Sequence, residues 1–391
     1  MTFRQTGISG RSQSRIDGID LLRGLSIFLV LMNHVNMRLL SAHVPYTRGM
    51  PPQLAATLVW SGQYGVQIFF AVSGYLITST SMRRWRFPSG VSLKEFYTLR
   101  FARIAPLMLL LLAVLSVLHL AGVHGYVVSQ KVGGVKAALI AALTFRINVL
   151  EATRGYLPAS WDILWSLSVE EVFYLFFPVI ALLSRRTRIL IPVLLLFVVA
   201  GPFARAAAFK HNPVWYEYSY LGGMDAIAMG CLTAIFTAGR ALSKRSLSVC
   251  TVVGMAMLVL IVGFSVRLNT AGLGRNGMSM TILALGACLV IAAAAGSGWR
   301  APRVLAPVLM LGRLSYEIYL THIFVVMGLF SVFLQAGKPM RGVAVLFATV
   351  IAGACIVGLL VSKLYTEPLN RWIRARAWKA SREAGMVVAG S

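Results

Sequence analysis

Residues 15–40 read RIDGIDLLRGLSIFLVLMNHVNMRLL. The stretch is apolar for long enough to cross a bilayer, whose ~30 Å hydrocarbon core takes about 20 helical residues. It nevertheless carries Asp20, Arg23 and His34 within that length or at its edges. An Asp or Arg at the centre of a span costs roughly 2.5–3.5 kcal/mol, so such groups turn toward a polar interior. Arg23 and His34 have ten residues between them. On a helix that spacing is about three turns plus roughly 20°, so both side chains point the same way, about 16 Å apart along the axis. One lies near a membrane face and the other beyond mid-depth. The stretch predicts a helix that lines a polar channel or reaction chamber.

The rest of the chain continues in kind. Of its 391 residues 58% are hydrophobic and the mean hydropathy is +0.76, whereas soluble domains are ~45–50% apolar. Apolar runs fall at about 19–40, 57–80, 103–122, 163–183, 188–204, 218–239, 246–266, 278–296, 305–330 and 343–365. They predict an all-α polytopic integral membrane protein with about ten transmembrane helices in one bundle. The run Val135–Val149 is short and interrupted by Arg146, so segment 135–149 is expected to be re-entrant or to lie in the interface. The expected organisation is an N-terminal segment over 1–18, a membrane-embedded domain over 19–365 and a basic tail over 366–391. In that tail Trp372, Ile373 and Trp378 alternate with Arg371, Arg374, Arg376 and Lys379, a pattern that suits an amphipathic helix on anionic lipid.

The net charge of +25 argues for membrane topology and against nucleic acid, because the Lys and Arg residues sit in short loops between apolar runs. With ten crossings and both termini cytoplasmic, the cluster Arg83 to Arg103, the triplet Arg185, Arg186 and Arg188, and the basic tail all fall inside. A crossing at 135–149 would turn the later clusters outward, against the positive-inside rule. An inner (plasma) membrane location is therefore expected, with Arg23 toward the cytoplasm and His34 toward the outer leaflet. The first run is expected to stay as a signal anchor. Cys231, Cys250, Cys288 and Cys355 lie in apolar runs without paired spacing and read as packing residues, with no metal site expected.

Several further groups carry chemistry. In GVQIFFAVSGYLIT, Ser73 and Gly74 sit at mid-membrane, suited to hydrogen bonding and close approach between helices. The loop RRWRFPSGVSLKEFYTLRFARIAPL is densely basic. It serves either topology or phosphate recognition, with Arg100 and Arg103 three residues apart. In WDILWSLSVEEVFYLFFPVI, Ser166, Glu170 and Tyr174 follow at i, i+4 and i+8 on one helical face, while Glu171 points elsewhere and pairs with an Arg. Asp225 is a lone intramembrane acid, either a structural partner or a site residue. In LGRLSYEIYLTHIFVV, Ser315, Tyr319 and His322 share roughly one face.

Taken in order, DLLRG with His34 beyond it, IFFAVSGYLIT, FYTLRFARIAPL, WSLSVEEVFYL, LGRLSYEIYLTH and LYTEPL resemble one family, the integral-membrane acyltransferase 3 family. The blocks extend from Ile16 to Leu369. The resemblance implies O-acylation of an extracytoplasmic glycan or another hydroxyl acceptor, with cytoplasmic acyl-CoA as co-substrate and no other cofactor. It implies His34 as general base or transient acyl carrier, oriented by Glu170. Arg23, Arg100 and Arg103 would then hold CoA phosphates or the thioester oxygen, with Ser73 and Gly74 on the donor side. Ser166, Tyr174, Tyr319, His322 and Asp225 would serve the acceptor or back the centre. Some members carry an appended soluble hydrolase-like domain, which is not expected after this tail. A proton-coupled transporter or lipid-linked-sugar flippase, using the same buried ions as a relay, is the competing class. The lack of a visible internal repeat disfavours it.

Overall fold

The computed structural model describes residues 15–377. Expectations for residues 1–14 and 378–391, Trp378 and Lys379 among them, fall outside these. Among the described residues there is no strand, and ten helices of 18 residues or more carry the fold. They are α1 (Asp17–Ser41), α2 (Gly62–Arg84), α3 (Leu93–Leu120), α4 (Leu164–Ser184), α5 (Thr187–Ala208), α6 (Tyr220–Thr237), α7 (Lys244–Gly263), α8 (Met278–Ser297), α9 (Ser315–Gln335) and α10 (Gly342–Val361).

Among the described residues, nine helical segments are long and apolar enough to cross a membrane. The tenth, α2, has the length at 23 residues but is less apolar, and its position explains why. It packs against α1, α6 and α8 in the middle of the bundle. Its polar side chains therefore meet protein, and lipid exposure does not select its composition. Burial tracks position: outer α7 buries 17% of its apolar window, whereas the segment holding central α6 buries 67%. The α2–α6 crossing is backbone-close, since a Cβ at Gly74 would collide with the Ile227 carbonyl and one at Gly230 with the Ala71 carbonyl. This is the small-residue contact by which membrane helices associate.

Segment 135–149 is not one continuous helix. It folds as a helix over Gly134–Leu143, a break at residues 144–146, and a second helix over Ile147–Arg154. Ten residues rise only ~15 Å. The run expected at 305–330 is likewise divided: a short helix, Ala306–Arg313, ends before α9 starts at Ser315. The break turns Arg313 and Ser315 onto α1, where Arg313 meets Asp20 at 3.2 Å and Ser315 accepts from Arg23 at 3.1 Å.

Contacts between helix ends fix direction. The start of α1, the end of α2, the starts of α3 and α9 and the end of α10 share one end of the bundle. There Arg300 donates to the Arg15 carbonyl, Arg84 Nε to Glu95 at 2.7 Å, Tyr316 to the Ile104 carbonyl and Tyr365 to the Pro106 carbonyl. The clusters around Arg83, Arg100 and Arg313 thus gather at one end. Beyond α10 the helix passes through one π turn, Ser362–Thr366, and continues to Ala377. Pro368 follows within one turn and lacks an N–H, which a locally widened helix accommodates.

Candidate active site

His34 and His322 meet at mid-bundle. Their rings contact edge to face at 4.8 Å between centroids, and His34 Nδ1 lies 3.4 Å from His322 Nε2. Each ring also faces backbone. His322 Nδ1 is 2.7 Å from the Tyr319 carbonyl and 3.2 Å from that of Ile318. A carbonyl only accepts, so Nδ1 of His322 carries the hydrogen and Nε2 presents a lone pair. His34 Nδ1 sits between the Val30 carbonyl at 2.9 Å and that lone pair. It too must be the protonated nitrogen. In the neutral ring this leaves His34 Nε2 with a lone pair that has no hydrogen-bond partner among the described residues.

Two arrays flank the pair. Toward the basic end, Arg23 bonds Ser315 and lies 4.0 Å from Asp20, which also pairs with Arg313. On the other flank Tyr319, in ring contact with His322, shares a 2.6 Å bond with Ser166 and donates to the Ile163 carbonyl at 2.9 Å. Ser315, Tyr319 and His322 all face this centre, as their spacing on α9 requires.

The α4 carboxylates form a second cluster. Glu170 bonds Ser73 and accepts from Tyr174 at 2.8 Å, and Ser73 also bonds Tyr174. Arg100 reaches Glu171 at 3.0 Å and Glu170 at 3.8 Å, with its guanidinium 3.7 Å from the Tyr174 ring centre. Arg100, Glu171 and Tyr174 of this cluster line an apolar groove of about 210 Å³ between α3 and α4. Glu170 thus joins Ser73, Tyr174 and Arg100, and no contact among the described residues joins it to His34. Arg103 makes no ion pair there and lines a separate cavity at the basic end.

Asp225 stands apart again. It is fully buried and bonded to Arg205 at 2.7 Å, Gln67 at 2.9 Å and Thr281 at 2.9 Å. Arg205 is not a loop residue, as its place after the apolar run 188–204 suggests. It lies in the last turn of α5 and is 2% exposed. Gln67, Arg205 and Thr281 carried no sequence signal, because each matters only through a partner on another helix. Among the described residues no group of His, Cys, Asp and Glu is placed to hold a metal ion.

A helical bundle long enough to span a membrane, with a histidine pair and separate ionic clusters in its interior, defines the class: a polytopic membrane protein. The family described as "Acyltransferase domain" matches residues 16–365, and the chain belongs to this acyltransferase 3 family. It is similar to the peptidoglycan O-acetyltransferase OatA of Listeria monocytogenes, 29% identical over 55% of this chain and 30% of the relative. It is also similar to the O-acetyltransferase OatA of Staphylococcus aureus, 25% identical over 83% of this chain and 53% of the relative. The chain thus spans about half the length of the curated relatives it matches, or less. No solved structure matches it.

Proposed function

We propose that the protein is a membrane O-acyltransferase. It moves an acyl group, acetyl if it follows its relatives' names, from acyl-CoA to a hydroxyl of a carbohydrate or lipid-linked glycan. The donor approaches from the basic end, which faces the cytoplasm together with both termini of an inner-membrane protein. The observation that carries this reading is the tautomer of His34, whose Nε2 lone pair is left free inside the bundle.

The chemistry follows from that atom. As base, Nε2 takes the proton of the acceptor hydroxyl while its oxygen attacks the thioester carbon. The C–S bond then breaks, and the proton passes to the departing CoA thiolate. As carrier, Nε2 attacks the thioester carbon and the C–S bond breaks to release CoA thiolate; the hydroxyl then attacks the acyl-imidazolium, the C–N bond breaks to restore His34, and the hydroxyl proton goes to the thiolate. In either route His34 becomes transiently cationic, and its Nδ1–H strengthens its bond to the waiting lone pair of His322. Arg23 lies about 16 Å of helix rise from His34. Its role is therefore on the more distant part of the donor, with Arg103 beyond it. Glu170, Ser73, Tyr174 and Arg100 border the chamber from α2, α3 and α4 and would shape the acceptor's approach.

Purified protein given labelled acetyl-CoA and an oligosaccharide acceptor should release free CoA and transfer label to the sugar. Intact thioester after prolonged incubation with glycan acceptors, alongside proton-driven uptake of a glycan, would make the buried ions a transport relay.

A further inference from the structure

Arg38 lies four residues beyond His34 on α1, away from the basic end. That spacing sets it about 6 Å further along the same helical face. A guanidinium carries five N–H donors and no acceptor. Among the described residues that of Arg38 forms no ion pair, and its hydrogen-bond contact is the Met327 thioether at 4.0 Å. A thioether is a weak acceptor, and an unmatched cation within a span is costly. The charge of Arg38 reaches His34 on one side and Asp162 on the other. Asp162 does not come within ion-pairing distance of it.

Asp162 stands four residues before Ser166, just ahead of α4. Its carboxylate is held from behind. Tyr218 donates to Oδ1 at 3.1 Å and is itself stacked flat on Trp165, with 4.2 Å between ring centres. The next carbonyl, of Ile163, takes the Tyr319 hydroxyl at 2.9 Å, and the Tyr319 ring contacts His322. Arg38 and Asp162 thus both flank the histidine pair. Packing keeps the two apart. Met327, against Arg38, touches Gly125, and Ser160, beside Asp162, donates to the Gly125 carbonyl at 3.5 Å. Glu151 adjoins Asp162, and burial followed by that neighbour raises its carboxyl. The two carboxyls therefore hold one proton and one negative charge between them. Arg38 and Asp162 are each half-buried, so each keeps a surface that another molecule can touch.

A cation and an anion fixed too far apart to pair are matched by a group that accepts from one and donates to the other. A hydroxyl does both. A carboxylate or phosphate can take only Arg38, and Asp162 repels it. We propose that Arg38 and Asp162 form a clamp that grips a second hydroxyl of the acceptor, near the one His34 serves, and so selects a neutral sugar over an anionic one. Naming that sugar as the acceptor rests on the acyltransferase reading above, whereas sugar binding by the clamp does not.

The test uses the full chain in nanodiscs with three tetrasaccharides, two neutral (maltotetraose and chitotetraose) and one anionic (tetragalacturonate). Ligand-observed NMR titration reports binding, and CoA release from acetyl-CoA reports turnover. The wild type should bind a neutral sugar about tenfold or more tighter than tetragalacturonate. Arg38→Met and Asp162→Asn should each weaken neutral-sugar binding about tenfold or more, the worth of a hydrogen bond to a charged group. Affinity for CoA should stay as it was. Arg38→Lys keeps the charge but not the fork and should lose less. Asp162→Asn should also narrow the gap between neutral and anionic sugars, which a folding defect would not do. Unfolding midpoints are measured for each variant, and if Arg38→Met fails to fold, Arg38→Lys and Asp162→Asn carry the test. A wild type that binds no neutral sugar or prefers tetragalacturonate overturns the clamp. So does neutral-sugar binding that the variants leave unchanged, whether or not CoA is released. Binding lost in the variants, with no CoA released by the wild type, upholds the clamp and removes the acyltransferase reading alone.

Discussion

Two ionic regions lie within the same bundle and differ in how completely their partners are supplied. At Arg205 and Asp225 every charge is answered. Arg205 bonds Asp225, Thr281 and the carbonyls of Gly222 and Gly277, and Asp225 also holds Gln67. Both residues are nearly or fully buried, and four helices contribute. Around His34 the accounting stays open. One nitrogen is committed to Val30 and His322, the other has no partner among the described residues, and beyond Arg23 the guanidiniums of Arg15 and Arg103 form no ion pair there. A closed cluster holds helices together. An open one is poised for something that is not part of the chain. Buried charge alone does not separate function from structure, but the tally of unmet partners does.

That contrast can be broken first at His34. His34→Gln should fold and insert normally yet lose about 10²–10⁴ in turnover, since Gln hydrogen-bonds but cannot titrate. A variant within a few-fold of wild type would make His34 a packing residue. The closed cluster predicts the opposite signature. Asp225→Ala leaves Arg205 buried and unpaired, at a cost of about 3–5 kcal/mol seen as a lower unfolding midpoint or poor expression. The double change Arg205→Met with Asp225→Leu should recover much of that loss. Activity that disappears from Asp225→Ala protein of unchanged stability would move Asp225 into the chemistry.

A third, smaller effect is expected at His322. His322→Leu deletes the acceptor for His34 Nδ1–H and should slow turnover about 10–100-fold, the worth of a hydrogen bond to a charged group. His322→Gln can still accept and should retain more. Equal rates for the two would show that His322 does not stabilise a cationic His34.

The smallest effect lies outside the spans, at Glu151 on the short helix after segment 135–149. Burial, then the nearby Asp162, raises its carboxyl above the ordinary value of 4.5. The folded chain therefore keeps a proton that the unfolded chain releases. Its contribution is present below the ordinary carboxylate range and is lost as pH rises from there through the raised value. Glu151→Gln carries no such proton and still offers an acceptor to the Leu157 N–H, 3.0 Å from Glu151 Oε1. Unfolding midpoints measured at roughly pH 5, 7 and 9 should show wild type losing ground to the Gln variant as pH rises. A constant gap would contradict the shift.

The apolar runs were readable because a bilayer imposes one length on every span. That segment 135–149 holds no helix of spanning length was readable because the run misses that length. The phase of Arg23 and His34 was also plain, being fixed by a single helix. What could not be read was every partner supplied by a distant helix. His322 lies 288 positions from His34 and Arg205 lies 20 from Asp225, and spacing within one helix is silent on both. Glu170 and Asp225 looked alike in sequence as lone acids in apolar runs. Only the packing shows that one joins Ser73, Tyr174 and Arg100 while the other is sealed by Arg205.

The central claim is that Nε2 of His34 is a free lone pair at the place where the acyl group moves. Diethyl pyrocarbonate acylates such nitrogens, and peptide mapping can report which of the six histidines has reacted. The account predicts that loss of turnover follows modification of His34 one for one, and that saturating CoA slows both together. Complete modification of His34 with turnover intact would contradict it.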